Sequence, residues 1–229
     1  MKNTTKSYFI INRKERWGLS IWGWVILLLL VLLPGFLLIR NAYSILAPVH
    51  REKTDVLVLE GFVSDYLMEE AIREFRTGKY SILITTGTPL ELGSLLVAYG
   101  NTAALAAATL KKMGFDSTRL VSVATGNIQN DRTYNSALEL KAWLDQNRPQ
   151  TKAINLMTMS VHGARSQLLF QYALGNKVKV GIISLGNFYY GPKTWWKNSK
   201  GFREVMNEVF GYLYVRLFFT PYEIPKKIK

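Results

Sequence analysis

The sequence has no cysteine and only two histidines, His50 and His162, among its 229 residues. That excludes disulfides, thiolate nucleophiles and cysteine-ligated metals, and it leaves too few imidazoles for a clustered zinc site, so no metal is expected. Chemistry then falls to carboxylates, hydroxyls, amides, Arg, Lys and His162. The standard phosphate signatures are also missing. No G-x-G-x-x-G follows the first strand of the soluble part, and nothing has the lysine and spacing of a P-loop. Without a G-x-S-x-G elbow, Ser160 does not read as a hydrolase nucleophile beside His162. There is no internal repeat and no low-complexity segment.

Acidic residues are scarce, 16 against 29 Lys and Arg, but the excess sits at the ends. Residues 1–20 hold five basic and one acidic residue, and residues 193–229 hold eight and three, whereas 51–192 hold fifteen and twelve. Basic segments flanking apolar stretches suit an anionic membrane surface better than a DNA groove. With no nucleic-acid-binding motif present, no nucleic acid is expected as a partner.

Charge is absent altogether from residues 21–39, IWGWVILLLLVLLPGFLLI. At 1.5 Å per residue that run covers roughly 28 Å, close to the hydrocarbon thickness of a bilayer. Trp17, Trp22 and Trp24 mark one interface. Lys2, Lys6, Arg13, Lys14 and Arg16 precede the run and only Arg40, Arg51 and Lys53 follow it, which places the N-terminus in the cytoplasm. The expectation is a single-pass signal anchor in a bacterial plasma membrane with an extracytoplasmic domain. A cleaved signal peptide is the competing reading. The segments expected are a cytoplasmic basic tail (1–20), the anchor (21–39), a tether (40–53), the domain (54–190) and an aromatic, basic helical extension (191–229).

Beyond the tether, short apolar runs alternate with amphipathic ones. Strands are predicted at 55–59, 80–85, 120–124, 153–159 and 177–185, and helices from Ser64 through Arg76 and over 102–113, 132–146 and 164–174. Five such strands between helices predict an α/β fold, a three-layer α/β/α Rossmann-like sandwich with a mostly parallel five-stranded sheet, preceded by one transmembrane helix. In the extension, Phe202, Val205, Met206, Val209, Phe210, Leu213 and Leu217 keep helical spacing, which predicts a helix over 202–219 packed on the sheet. The competing reading sets Trp195, Trp196, Tyr212, Tyr214, Phe218 and Phe219 against the outer leaflet.

In an open α/β sheet, ligands bind outside the carboxyl ends of the strands. Glu60 and Gly61 fall there after the first strand, Thr86, Gly87 and Thr88 after the second, Asp131, Thr133 and Asn135 after the third, and Ser160, His162 and Arg165 after the fourth. His162 is the candidate acid or base and Arg165 a planar grip for an anion. Thr133 and Asn135 complete a polar wall, and the turn at 86–88 offers amides. Each of these also has a plain structural reading as a cap, a turn or a solvated carboxylate.

The order of these motifs resembles the YdcF/SanA/ElyC family over residues 54–185. The matching segments are Asp55-Val-Leu-Val-Leu-Glu-Gly61, Thr86-Gly87-Thr88, Asp131-Arg-Thr133-Tyr-Asn135-Ser-Ala137 and Thr158-Met-Ser160-Val-His162-Gly-Ala-Arg165. Glu60, Thr86 and Thr88 replace residues usual in that pattern, and Asn101-Thr102 stands where an acid is common. The resemblance implies a Rossmann-like fold, membrane anchoring, and links to cell-envelope integrity and to peptidoglycan or lipid-carrier metabolism. One branch is reported to bind S-adenosylmethionine.

The function expected is recognition of an anionic, phosphorylated envelope or peptidoglycan precursor, polyprenyl-linked or not. Any reaction would be hydrolysis or transfer at a phosphate ester or pyrophosphate. The alternatives are a non-catalytic scaffold for envelope-biogenesis proteins and a nucleotide or S-adenosylmethionine binder. The sequence names no cofactor.

Overall fold

Successive strand side chains point to opposite faces, and here both faces are apolar, which requires a sheet covered on both sides. The computed structural model describes residues 11–13, 17–90, 98–126 and 130–222. The basic tail over 1–10 and 14–16, the middle of the link after the second predicted strand (91–97), the segment 127–129 and the last residues, 223–229, lie outside the described residues. The chain divides into two compact units, Met1–Ala42 and Tyr43–Lys229.

In the first unit, strands β1 (Ile11–Arg13) and β2 (Trp17–Leu19) pair antiparallel, with Ile11 opposite Leu19. Helix α1 (Ile21–Leu46) follows. The Ser20 hydroxyl accepts the Gly23 N–H at 3.2 Å and caps its start. Its 26 residues extend about 39 Å, long enough to cross a bilayer. A signal sequence near the N-terminus can also be long and apolar enough to qualify.

The second unit holds a six-stranded sheet of β3 (Val49–His50), β4 (Val56–Glu60), β5 (Ile82–Gly87), β6 (Leu120–Ala124), β7 (Ala153–Met159) and β8 (Lys179–Leu185). The spatial order is β3-β8-β7-β4-β5-β6, parallel except for β3, which runs antiparallel to β8. The five expected strands form the parallel part, and β3 is an addition. Helices α2 (Asp65–Thr77) and α3 (Thr102–Lys112) cover the face bearing Leu57, Leu59 and Leu83. Helices α4 (Arg132–Asn147) and α5 (Gly163–Leu174) cover the face bearing Val58, Ile84 and Ile154. The fold is a three-layer, Rossmann-like sandwich.

Two expectations change. Residues 43–53 are not a free tether, because Tyr43 and Leu46 are buried and the stretch after them is fastened to the sheet. The buried Asn155 on β7 accepts the Glu52 N–H at 2.8 Å and donates to the Glu52 carbonyl at 3.0 Å, and Arg51 makes a two-pronged ion pair with Glu74 at 2.7 and 2.8 Å. The second change concerns helix α6 (Ser199–Leu217), which turns inward only part of the side its apolar spacing suggested, burying Val205 and half-burying Met206 and Val209. Gly201, Val205 and Val215 are buried, while Phe202, Phe210, Leu213 and Leu217 are exposed. The inward side also carries Glu208, and its ion pair with α5 outweighs the burial of more apolar surface.

Candidate functional site

The chain leaves β4 toward β5 on one side and reaches β7 on the other, so the sheet order reverses between β4 and β7. At such a switch point the loops part and leave a crevice beyond the strand ends. Glu60 closes β4 and lies opposite Thr86 of β5 in the ladder, and Gly61 donates its N–H to the Thr86 carbonyl at 2.7 Å. Glu60 is 3% exposed, and its carboxylate accepts the Ser166 hydroxyl at 2.7 Å.

The start of α3 presses directly on these ends. A Cβ on Gly87 would stand 2.0 Å from the Thr102 hydroxyl and 2.7 Å from the Ala103 nitrogen, and one on Gly61 would stand 2.5 Å from the Thr102 carbonyl oxygen. Only glycine permits that approach. Asn101 caps α3 by accepting the Ala104 N–H at 2.8 Å. The Thr102 hydroxyl accepts the Thr88 N–H at 3.1 Å, so that amide is spent on the turn and is not offered to the crevice. The Thr86 hydroxyl is buried and makes no hydrogen bond among the described residues.

On the β7 side a short 3-10 turn, Ser160–His162, leads into α5. His162 and Arg165 meet on one carboxylate, that of Glu208 from α6. His162 Nδ1 stands 2.9 Å from Glu208 Oε1, and Arg165 reaches Oε2 through Nε at 2.7 Å and Oε1 through Nη2 at 3.0 Å. Arg165 Nη2 also lies 2.9 Å from His162 Nδ1. With a proton on Nδ1, the ring donates to Glu208 and the contact with Arg165 sets two N–H groups together. With Nδ1 bare, it accepts from Arg165. The tautomer therefore decides whether the buried, otherwise unpartnered Nε2 of His162 accepts or donates. The Phe62 ring packs edge-on against the imidazole, 5.1 Å between centroids.

Burial alone would raise the carboxyl pKa of Glu208, but the hydrogen bonds and charges of His162 and Arg165 hold it at about 2. Burial likewise pushes the Arg165 guanidinium down, and the hydrogen bond and charge of Glu208, with the charge of Glu60, more than reverse the effect. Glu208 takes the Nε–Nη2 edge of Arg165. A planar guanidinium has a second edge, and no hydrogen bond occupies its Nη1 among the described residues.

These groups surround a cavity of about 480 Å³, within the range of small-molecule sites. Of the residues singled out in the sequence, Glu60, Thr86, Gly87, Thr88, Asp131, Thr133, His162 and Arg165 line it. Gly61, Asn135 and Ser160 do not. Gly61 serves the close approach of α3. The Asn135 amide donates back to the carbonyls of Asn130 at 3.0 Å and Asp131 at 3.2 Å. It thereby steadies Asp131, whose φ of 47° is left-handed. Ser160 has a φ of 50° but is 2% exposed, and its hydroxyl donates to Tyr43 at 3.2 Å. A strained serine between strand and helix has the look of a nucleophile elbow, yet this one is sealed against a tyrosine.

Thr102, Arg132, Ser136 and the α6 residues Gly211, Tyr214 and Val215 also line the cavity, and none was expected as a site residue from the sequence. Nor was Glu208, the residue that organises the site. Its signal was available: it is an acid in a basic segment, at the helical spacing of the buried Val205 and Val215. Among the described residues, no group of three or more His, Asp and Glu is placed to hold a metal. No family model and no curated protein matches this sequence.

Proposed function

We propose that the crevice binds a phosphorylated small molecule, the head of an envelope precursor, in a domain held at the bacterial membrane by α1 and facing away from the cytoplasm. The observation that carries this reading is the convergence of three helix starts, those of α3, α4 and α5, on one cavity beside Arg165. Each helix start carries a partial positive charge, those of α4 and α5 have no side-chain cap, and together with a guanidinium they favour an anion. The unpartnered Thr86 hydroxyl and His162 Nε2 supply further polar contacts.

Glu60 and Asp131 repel a phosphate but accept well from hydroxyls, so the ligand that fits carries both, as a sugar phosphate does. Where a bond is broken, a phosphate ester or pyrophosphate is the substrate. Water attacks phosphorus, and His162 takes a proton from that water or delivers one to the leaving oxygen. The YdcF/SanA/ElyC resemblance agrees with an envelope role.

The test is thermal stabilisation of the full-length chain in detergent by inorganic phosphate, pyrophosphate, hexose phosphates, polyprenyl phosphates, nucleotides and S-adenosylmethionine. We expect a shift with one phosphorylated class, weakened on the order of 10- to 100-fold in apparent affinity by Arg165→Ala, the scale of a lost charged hydrogen bond. A shift with S-adenosylmethionine alone would replace this reading, and no shift in any arm would remove it.

A further inference from the structure

Helix α6 has two apolar sides. One packs on the domain through Gly201, Val205 and Val215 and brings Glu208 to the crevice. The other is a stripe of exposed Phe202, Phe210, Leu213 and Leu217 with the half-buried Met206 among them, spaced by three and four residues, which places them on one face. Phe210 is 65% exposed and Leu217 67%. Large apolar side chains contiguous on a solvent-facing helix mark a surface that another phase or molecule covers.

The charges on the helix show what that partner is. Both acids of α6 are engaged: Glu204 accepts from Tyr190 and Asn187 and lies 3.9 Å from Lys200, and Glu208 pairs with His162 and Arg165. The basic residues Lys200, Arg203 and Arg216 are exposed, and Lys193, Lys197 and Trp196 are exposed just before the helix. The outward surface is thus an apolar stripe flanked by Arg203 and Arg216, with the paired Lys200 and Glu204 beyond one edge. A second copy of the chain would set those cations against one another. A lipid surface with anionic headgroups takes the stripe among its acyl chains and pairs the bordering cations with phosphates. The chain also carries α1, long and apolar enough to cross a bilayer, at the other end of its sequence.

We infer that α6 is an interfacial helix that docks the domain on an anionic bilayer surface through Phe202, Met206, Phe210, Leu213 and Leu217. This docking does not depend on what the crevice binds. It does place the crevice-lining Gly211 and Val215 on the other side of a lipid-bound helix, about one helix diameter away, roughly 10 Å.

The absence of cysteine makes the test clean, because a single introduced cysteine is the only labelling site. Full-length Phe210→Cys, Leu217→Cys and, as a control on exposed α4 surface, Gln146→Cys would each carry an environment-sensitive fluorophore. Each would be placed in nanodiscs of phosphatidylglycerol and phosphatidylcholine with one chain per disc. Spin-labelled acyl chains should quench positions 210 and 217 at least roughly threefold more than 146, as expected for side chains inserted at the acyl boundary. Pure phosphatidylcholine should weaken the difference. Variants are compared only where thermal unfolding matches the parent, and Leu213→Cys stands in for one that does not. Quenching no stronger than at 146 would overturn the inference, as would equal quenching in pure phosphatidylcholine. A fluorophore response that arises only with two chains per disc, without quenching by lipid, would overturn it in favour of self-association.

Discussion

At the scale of single residues, the site turns on a carboxylate that never touches the proposed ligand. Glu208 fixes one edge of Arg165 and one nitrogen of His162, and it leaves the other edge of Arg165 and the buried Nε2 of His162 without partners among the described residues. It is a positioning residue. Glu208→Gln should therefore weaken ligand affinity by about tenfold while Glu208→Asp, which keeps the charge, recovers part of it; titration calorimetry reads both. Stability should respond as well. The carboxyl is held at about 2, below its ordinary value near 4.5, so its contribution, on the order of 3 kcal/mol, is complete above pH 4.5 and fades as pH falls toward 2. Denaturation at several pH values should show parent and Glu208→Gln far apart at pH 6 and converging below pH 3. A constant gap would mean that the residue acts by shape rather than charge.

At the scale of elements, the boundaries were largely legible. Gly78 ends α2 where the sequence stops its apolar spacing, and Asn101 caps α3 at the expected start. β6 and β7 fall on the predicted runs. What escaped was decided by partners distant in sequence. β3 is two residues long, too short for any alternation to register, and it exists because Asn155 and Arg51 fasten its flank. The facing of α6 escaped because apolar spacing alone favoured the stripe that proves exposed, and a buried ion pair won. Gly87 and Gly61 read as turn glycines and turn out to be contact glycines. Gly87→Ala should force α3 away from β5 and cost about 1–3 kcal/mol in chemical denaturation, the range for overpacking. Gly100→Ala, where nothing lies within 4 Å of the added Cβ but φ is +74°, should cost only the backbone strain, about 1 kcal/mol.

At the scale of the whole molecule, the strand order was invisible to the sequence, since spacing reports elements and not neighbours. Yet that order gives the site its place. It is the reversal between β4 and β7 that gathers Glu60, Thr86, His162 and Arg165 from distant segments of the chain. The sequence pointed to eight of the cavity's lining residues because strand ends in an α/β fold share one edge whatever their order. It missed the wall contributed by α6, which lies beyond the last strand. If the cavity holds a phosphate through His162 and its neighbours, the scarcity of histidine allows a direct measurement. With only His50 and His162 in the chain, nitrogen-15 NMR of imidazole-labelled full-length protein resolves both rings. Titration with the phosphorylated compound selected by thermal stabilisation should move the Nε2 resonance of His162 and leave His50 in place. An unmoved His162 at saturation would mean that the phosphate binds elsewhere.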